Sequence, residues 1–413
     1  MYTIKIYCPN IISGYGGAEG YVLTLASYLS NTYKNIDLSM VIYATTECKE
    51  CANHENDRPM KNQMREELSK KYNLAFSDEL DFIILPESKN NSVISKYCAH
   101  TRLRGTSTGT DLYINGFHNV HYFHGRKNIH IIHFPAPPRV QASPFFTKHR
   151  FFKPVAAALD SRYRNCYDLF LCNSAFTKKW LEHYWHVNED LIQILYPPVL
   201  ILDEKRDSQN RDSINQKEKN ILMVSRFDPR KKILELVDFF IENNAHYPEW
   251  RLLVAGSTDR RYQSYLDVIE KRAQNNNIYI YKDIAPIELA CLYQKSSIFW
   301  HAMGLDVDEE KDPLDLEHFG ITTVEAMSAG VVPIVINKGG QKEIVDHGIN
   351  GYRWNNLKEL RMYTRAVMLD ETLRQSLARA AIEKSKIFSR ESFYQHADEI
   401  FQRFSLIPEE YRK

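Results

Sequence analysis

The chain has 413 residues, of which 44% are hydrophobic and 25% charged, and its formal net charge at pH 7 is +1. That length is more than one core usually holds and points to two domains of a globular protein. A balance so close to neutral excludes the basic surface that a nucleic-acid binder needs, and no apolar run is long enough to span a bilayer.

The first residues, Met1–Cys8, alternate as a strand and do not read as a signal peptide. Ser13-Gly-Tyr-Gly-Gly-Ala-Glu-Gly20 then turns into a helix over Ala18–Leu29, where Val22, Leu25, Ala26 and Leu29 recur at helical spacing. Such a loop either brings backbone close to a phosphate or sugar or simply turns the chain tightly from strand to helix. It is not a dinucleotide fingerprint, because Glu19 stands where the third glycine belongs. Further strands are expected at Leu38–Tyr43, Phe82–Leu85, Ile129–Phe134 and Leu169–Cys172, with helix and loop over Asn56–Asn73 and Ser88–Ser95. Cys48-x-x-Cys51 with His54 has half the ligands of a zinc site, and Cys98 with His100 could supply the rest. Nothing in the spacing joins the two halves, so the segment reads as a polar surface loop. Seven cysteines, odd in number and scattered, indicate reduced thiols and a cytoplasmic chain.

His133, in Ile131-Ile-His-Phe-Pro135, closes a strand. A histidine among apolar residues can be a satisfied core group, but ligands of open α/β sheets gather at the carboxyl ends of strands. His118, His121, His124 and His130 read as loop or surface groups. Arg139–Arg164 interleaves arginine, lysine and phenylalanine, which suits either a membrane interface or a partly buried loop with a solvated face. Asp203–Asn220 is charged and aperiodic and reads as a linker.

A second α/β unit opens at Ile221–Ser225 and continues with strands at Leu252–Ala255, Ile278–Tyr281, Ile298–His301 and Val332–Ile336, then a turn at Asn350-Gly351. After its first strand, Arg226-Phe-Asp-Pro-Arg-Lys231-Lys232 lifts Arg226 and Lys231 above the carboxyl edge of the sheet. Arginine forks onto phosphate oxygens and lysine acts as a point charge, so the pair suits a diphosphate; a merely solvated loop is the plain alternative. Asp306-Val-Asp308 lies in an acidic loop and reads as solvated, so no metal site is expected. Glu317-His-Phe-Gly-Ile-Thr-Thr-Val-Glu325 sets two carboxylates eight residues apart around Gly320. A glycine lets the backbone close on a ligand, and the helix start beyond it offers N–H groups and a positive dipole end to a phosphate. Thr322-x-x-Glu325 also fits a capping box, in which Glu325 merely closes the helix. A last helix is expected over Ser389–Phe404, with Phe393, Ala397, Ile400 and Phe404 on one face.

Taken together these residues resemble the family-four retaining glycosyltransferases. Gly16-Gly-Ala-Glu19 is similar to that family's GGAE loop. Asn173-Ser-Ala-Phe-Thr177 with Tyr196-Pro-Pro-Val199 looks like the segment that closes its first domain. Arg226-x4-Lys231 and Glu317-x7-Glu325, followed by Gly330, Gly339-Gly340 and Glu343, resemble its two signature blocks. The resemblance implies an α/β chain of GT-B fold, with two Rossmann-like domains facing a central cleft. An acceptor-binding domain would cover 1–203 and a nucleotide-sugar-binding domain 204–388, with a C-terminal helix, 389–413, packing back on the first.

The implied activity is retaining transfer of a hexose from a UDP- or GDP-sugar to a glycan or lipid-linked oligosaccharide, as in cell-surface glycan synthesis. The nucleotide-sugar would be a co-substrate, with no cofactor, no catalytic metal and no nucleic acid. The enzyme would be cytoplasmic, with room for peripheral membrane contact. Arg226 and Lys231 would neutralise the leaving diphosphate, Glu325 would hold the ribose and Glu317 the transferred sugar. Backbone N–H groups of Phe319, Gly320, Ile321 and Thr322 would face sugar and phosphate, as would Gly16 and Gly17, and His133 would touch the sugar near the reacting carbon. Two departures stand out. Arg230 and Lys232 occupy positions where the family often has Glu and Gly, and His318, shared with mannosyltransferases acting on lipid-linked oligosaccharides, favours GDP-mannose. A sugar-nucleotide epimerase of the same fold and a non-catalytic nucleotide-sugar-binding protein are the competing readings; Arg226, Lys231, Glu317 and Glu325 together speak against the second.

Overall fold

The computed structural model describes residues 1–9, 11, 16–43, 58–78, 80–86, 101–117, 125–138, 151, 153–201 and 217–413. Two compact units emerge: Met1–Pro198 with Phe393–Lys413, and Val199–Ser392. Ser13–Tyr15, the Cys48, Cys51, His54, Cys98 and His100 set, His118, His121, His124, and most of the 139–152 and 203–216 segments lie outside the described residues.

The first unit is built on β1 (Tyr2–Tyr7), α1 (Gly17–Thr32), β2 (Ile36–Tyr43), α2 (Arg58–Tyr72), β3 (Leu80–Leu85), β4 (Leu112–Asn115), β5 (Lys127–Ile132), α3 (Lys153–Arg164), β6 (Leu169–Cys172), α4 (Ala175–Trp185) and β7 (Ile192–Ile194). Its strands pair in parallel in the order β3-β2-β1-β4-β5-β6-β7, so the order reverses between β1 and β4. Helices cover both faces of such a sheet, which is why β6 reads as an unbroken apolar run and is buried at every residue. The central strand β4 was not among the expected strands. It has only four residues, too few for any alternation to register.

α1 is buried at ten consecutive residues, Tyr21–Ser30, rather than along one apolar stripe. Its polar members are satisfied internally: the Thr24 hydroxyl donates to the Gly20 carbonyl at 2.8 Å and that of Ser27 to the Ala75 carbonyl at 2.6 Å. Part of its cover is the last helix, α12 (Arg390–Arg403), which sends Phe393, Ala397, Ile400 and Phe401 into the first unit's core. The edge-on ring pair Tyr21–Phe393, at 5.2 Å, is one such contact.

His130 departs from the surface reading. It is buried within β5, with Nδ1 2.8 Å from the Tyr163 hydroxyl and Nε2 3.1 Å from the Phe117 carbonyl, and it stacks on Tyr167. With both nitrogens engaged, an imidazole tolerates the interior.

The second unit contains β8 (Asn220–Val224), α5 (Ile233–Asn244), β9 (Arg251–Gly256), α6 (Gln263–Ala273), β10 (Ile278–Lys282), α7 (Pro286–Lys295), β11 (Ile298–His301), α8 (Ile321–Ser328), β12 (Val332–Ile336), α9 (Gln341–Ile344), β13 (Tyr352–Trp354), α10 (Leu357–Leu369) and α11 (Glu371–Ser385). The sheet order is β10-β9-β8-β11-β12-β13, again all parallel, and here the order reverses between β8 and β11. Its core gathers Ile221, Leu236, Leu252, Trp300, Ile334 and Trp354. No helix among the described residues is long and apolar enough to cross a membrane.

Candidate active site

At a topological switch point the loops leaving two neighbouring parallel strands diverge to opposite faces, which opens a crevice at their carboxyl ends. In the second unit those loops are 225–232, after β8, and 302–320, after β11.

The first loop is fixed from below. Ser225 and Phe227 donate their N–H groups to the carbonyls of Ala255 and Ser257, each at 3.1 Å, and the Phe227 ring is buried. Gly256 is required there, because a Cβ would strike the Ser225 carbonyl. Asp228, 2% exposed in its side chain, accepts from the Arg230 backbone at 3.0 Å and grips the Arg230 guanidinium at 2.7 Å. Burial resists ionisation of Asp228, but the Arg230 contacts outweigh it and hold the carboxyl below its ordinary value. The two extra basic residues are thereby largely neutralised: Arg230 by Asp228, and Lys232 by Glu235 at 3.1 Å. Lys232 also has φ of +58°, the left-handed conformation that suits the glycine common in the resembling family. Arg226 remains 55% exposed, with Asp228 no nearer than 3.9 Å.

Lys231 turns the other way and meets the second loop. Its Nζ lies 2.6 Å from Glu317 Oε2, and His301 Nε2 lies 3.3 Å from the same oxygen. Burial disfavours the Glu317 carboxylate, yet Lys231 and His301 together hold it well below the usual range. His301, at the last position of β11, is driven the other way: burial dominates the pull of Glu317 and lowers its pKa, so it is a neutral donor. The structure thus gathers three groups, of which the sequence pattern had singled out two.

The loop around Glu317 is held by backbone nesting. Gly340 N–H donates to the Glu317 carbonyl at 2.8 Å, and a Cβ on Gly339 or Gly340 would collide with the Glu317 or His318 carbonyl. Upstream, Lys338 reaches back to the carbonyls of Gly304 and Val307, at 2.9 and 2.5 Å, and Lys342 pairs with Glu309 at 2.8 Å. Asp308 is exposed and pairs with Lys311 at 2.7 Å. Among the described residues, no three acidic, histidine or cysteine side chains cluster as metal ligands.

The capping box does not form. α8 begins at Ile321 with Gly320 as its N-cap, no side chain caps it, and Glu325 falls on the fifth helical residue. The reason is Gly320's φ of +126°, a backbone turn that puts the N-cap two residues before Thr322 and starts the helix at Ile321. A Cβ at Gly320 would sit 2.5 Å from Gln341 Nε2, so any other residue there must displace that amide and bear the strain of the positive φ. The N–H groups of Ile321 and Thr322 open the helix and have no carbonyl a turn earlier to bond, whereas the Phe319 ring turns into the interior against Phe388. Glu325 instead accepts from the Tyr293 hydroxyl at 2.8 Å. Burial raises its pKa to about 7, with the Tyr293 bond opposing. Tyr293, on α7, carried no sequence signal, because its role follows from a contact 32 positions away.

The first unit holds His133 just past β5. The Thr177 hydroxyl donates to the His133 carbonyl at 3.2 Å, and Thr177 is positioned by Ser174, the N-cap of α4, at 3.0 Å. The Asn173–Thr177 block therefore serves to fix the His133 turn. The imidazole meets the Tyr21 ring edge-on at 5.6 Å. Gly16 is the N-cap of α1 and Gly17 its first residue, and the Glu19 side chain lies over Gly16 where a Cβ would stand.

Residues 204–384 match the family model of glycosyl transferases group 1. The chain is 28% identical over 186 residues to GDP-Man:Man(3)GlcNAc(2)-PP-Dol alpha-1,2-mannosyltransferase of Yarrowia lipolytica, covering 42% of this chain and 27% of that one. It is 25% identical over 240 residues to the protein of the same name from Dictyostelium discoideum (54% and 45% covered). It is also 25% identical over 210 residues to the alpha-1,3/1,6-mannosyltransferase ALG2 of Homo sapiens (45% and 46% covered). The chain spans less than half the length of each of these relatives. Among solved structures, Anabaena Alr3699/HepE in complex with UDP and glucose superposes with a TM-score of 0.67 at 15% identity, covering 98% of this chain and 100% of that one. The lipopolysaccharide glycosyltransferase WaaG does so at 0.62 and 13%, covering 97% and 99%. The fold is GT-B, with two parallel-sheet α/β domains.

Proposed function

We propose that this chain, whose residues 204–384 belong to glycosyl transferases group 1, is a retaining, family-four-type hexosyltransferase that takes its sugar from a nucleotide diphosphate donor. The observation that carries the reading is the Lys231–Glu317–His301 set, lying where the strand order of the second sheet reverses and beside the start of α8. A diphosphate there meets Lys231, whose ammonium keeps hydrogens beyond the one given to Glu317, together with the exposed Arg226 guanidinium and the N–H groups and dipole of α8. Phe319 and Gly320 contribute backbone, Glu325 takes the ribose hydroxyls, and Glu317, oriented by two donors, takes hydroxyls of the transferred sugar. His133 and the backbone of Gly16 and Gly17 are given a role toward the sugar on the family resemblance alone.

The reaction in this reading breaks the bond between the anomeric carbon and the diphosphate oxygen while an acceptor hydroxyl adds to the same face. The acceptor proton leaves on the departing diphosphate, so configuration is retained and no protein nucleophile is consumed. Arg226 and Lys231 stabilise the negative charge as it grows on the leaving group. Two fixed cations supply what a divalent ion would otherwise supply, so no metal or other cofactor is needed.

GDP-mannose is the preferred donor in this proposal, with a lipid-linked or glycan acceptor. Its support is His318 and the names of the relatives above. A cytoplasmic location, peripheral on a membrane, fits such an acceptor. The test is nucleotide release from GDP-mannose, UDP-glucose and UDP-N-acetylglucosamine, with acceptor glycolipid extract and with EDTA present, and with the anomer of the product read by NMR. Release from GDP-mannose that survives EDTA and yields the α product supports the proposal. Absence of binding and turnover with every donor, or an inverted product, sinks it.

A further inference from the structure

Away from the Lys231 and Glu317 loops, the second unit has a half-open cavity of about 550 Å³ between α5, β11 and α10. That volume lies within the range of small-molecule sites. Its floor is aromatic: Phe239, Phe240 and Trp300 are all at least nine-tenths buried, and both phenylalanine rings meet Trp300 edge-on, at 5.5 and 6.4 Å. The Trp300 indole N–H is already given to the Thr364 hydroxyl at 3.1 Å, so the floor makes no polar demand of its own. The rim is cationic. Arg361 and Arg365, one turn apart on α10, both line the opening and both are exposed. Neither has a carboxylate partner among the described residues, and the Arg361 guanidinium lies 6.0 Å from the Phe239 ring. Like charges at this spacing weaken a helix by a few tenths of a kcal/mol, a cost that a bound anion would reverse.

A chamber with an aromatic floor, polar walls at Asn243, Asn244 and His246, and two guanidinium groups without a carboxylate partner at its mouth is complementary to one class of molecule. We propose that this cavity is a second ligand site, separate from the donor site, for a small amphipathic oxyanion: a short alkyl or aryl body seated on Trp300, Phe239 and Phe240, with a carboxylate or phosphate head bridging Arg361 and Arg365. The inference does not depend on the transferase reading, since no residue of the Lys231–Glu317 set lines the cavity.

The probe is 8-anilinonaphthalene-1-sulfonate, an aryl oxyanion whose fluorescence rises on entering an apolar site, titrated onto the full chain with octyl phosphate, octanoate or GDP as competitor. The expected result is one saturable component displaced by octyl phosphate or octanoate and untouched by GDP; the more effective head identifies the natural one. Arg361→Gln with Arg365→Gln should weaken that component at least about 10-fold, the loss of one charge-assisted contact or more. Met368→Trp, which fills the chamber from α10, should abolish it while the thermal midpoint stays put. Displacement by GDP, displacement by neither amphiphile, or unchanged affinity in both variants would overturn the proposal.

Discussion

In the first unit the strands flanking the order reversal, β1 and β4, end in Tyr7 and Asn115, both buried and both neutral, and Asn115 gives its amide to the Tyr167 hydroxyl at 2.7 Å. In the second unit the flanking strands, β8 and β11, lead into Arg226, Lys231, His301 and Glu317. Both sheets run parallel in the same order as far as the reversal. What differs, among the described residues, is the charge found at those strand ends. Parallel-sheet topology supplies a crevice in either case. Among the described residues, charges gather at one of the two, and that edge is the one the proposed function gives to the leaving diphosphate.

If charge is what separates the two edges, Lys231→Ala should have the largest effect. It removes the main cation beside Glu317, and transfer should fall by about 10²–10³-fold while a folded second unit persists. Turnover within a few-fold of wild type would erase the distinction between the edges. Next comes Gly320→Ala, which probes the helix start instead of the charge. An alanine at φ of +126° against Gln341 should cost about 1–3 kcal/mol in thermal or denaturant unfolding and weaken nucleotide binding with it. A neutral outcome would mean that α8 can begin at Thr322 after all.

His133→Ala tests the neutral edge. Calorimetric binding of GDP should be unaffected, and kcat for transfer should drop about 10-fold, the worth of a single hydrogen bond near the reacting carbon. Weakened GDP binding would instead give the first unit a share of the nucleotide. The smallest expected effect is on stability. Burial raises the folded pKa of Glu325 from 4.5 to about 7, so the stability this group contributes is present below about pH 4.5 and is lost as pH rises through 7. Glu325→Gln mimics the protonated form. The ligand-free variant should therefore melt above wild type at pH 8 by about 2–4 °C, on the order of 1 kcal/mol, with the gap closing toward pH 5. A gap that widens as pH falls would contradict the assigned direction. Its donor affinity should drop, the mark of a residue kept for binding at a cost in stability.

Much of this was legible before any coordinates. Strands buried on both faces announce themselves as apolar runs, as Leu169–Cys172 and Val332–Ile336 do, because a parallel sheet covered by helices leaves no polar face. Arg226, Lys231, Glu317 and Glu325 stand at informative spacings, since loops at strand ends carry their chemistry locally. Four residues of β4 between loops did not announce themselves, nor did the burial of His130, which depends on Tyr163 and Phe117 reaching its two nitrogens.

What remained for the tertiary structure was every property that depends on distance through space. His301 joins Glu317 only because β11 ends beneath the loop that follows it, and Tyr293 finds Glu325 only because α7 packs beside α8. The two carboxylates of one short motif consequently part ways: the ammonium and imidazole hold Glu317 ionised, whereas burial with a single hydroxyl partner lifts Glu325 to about 7. Spacing along the chain can place an ionisable group. Its charge state is set by desolvation and by whichever partners the fold brings within a few ångströms.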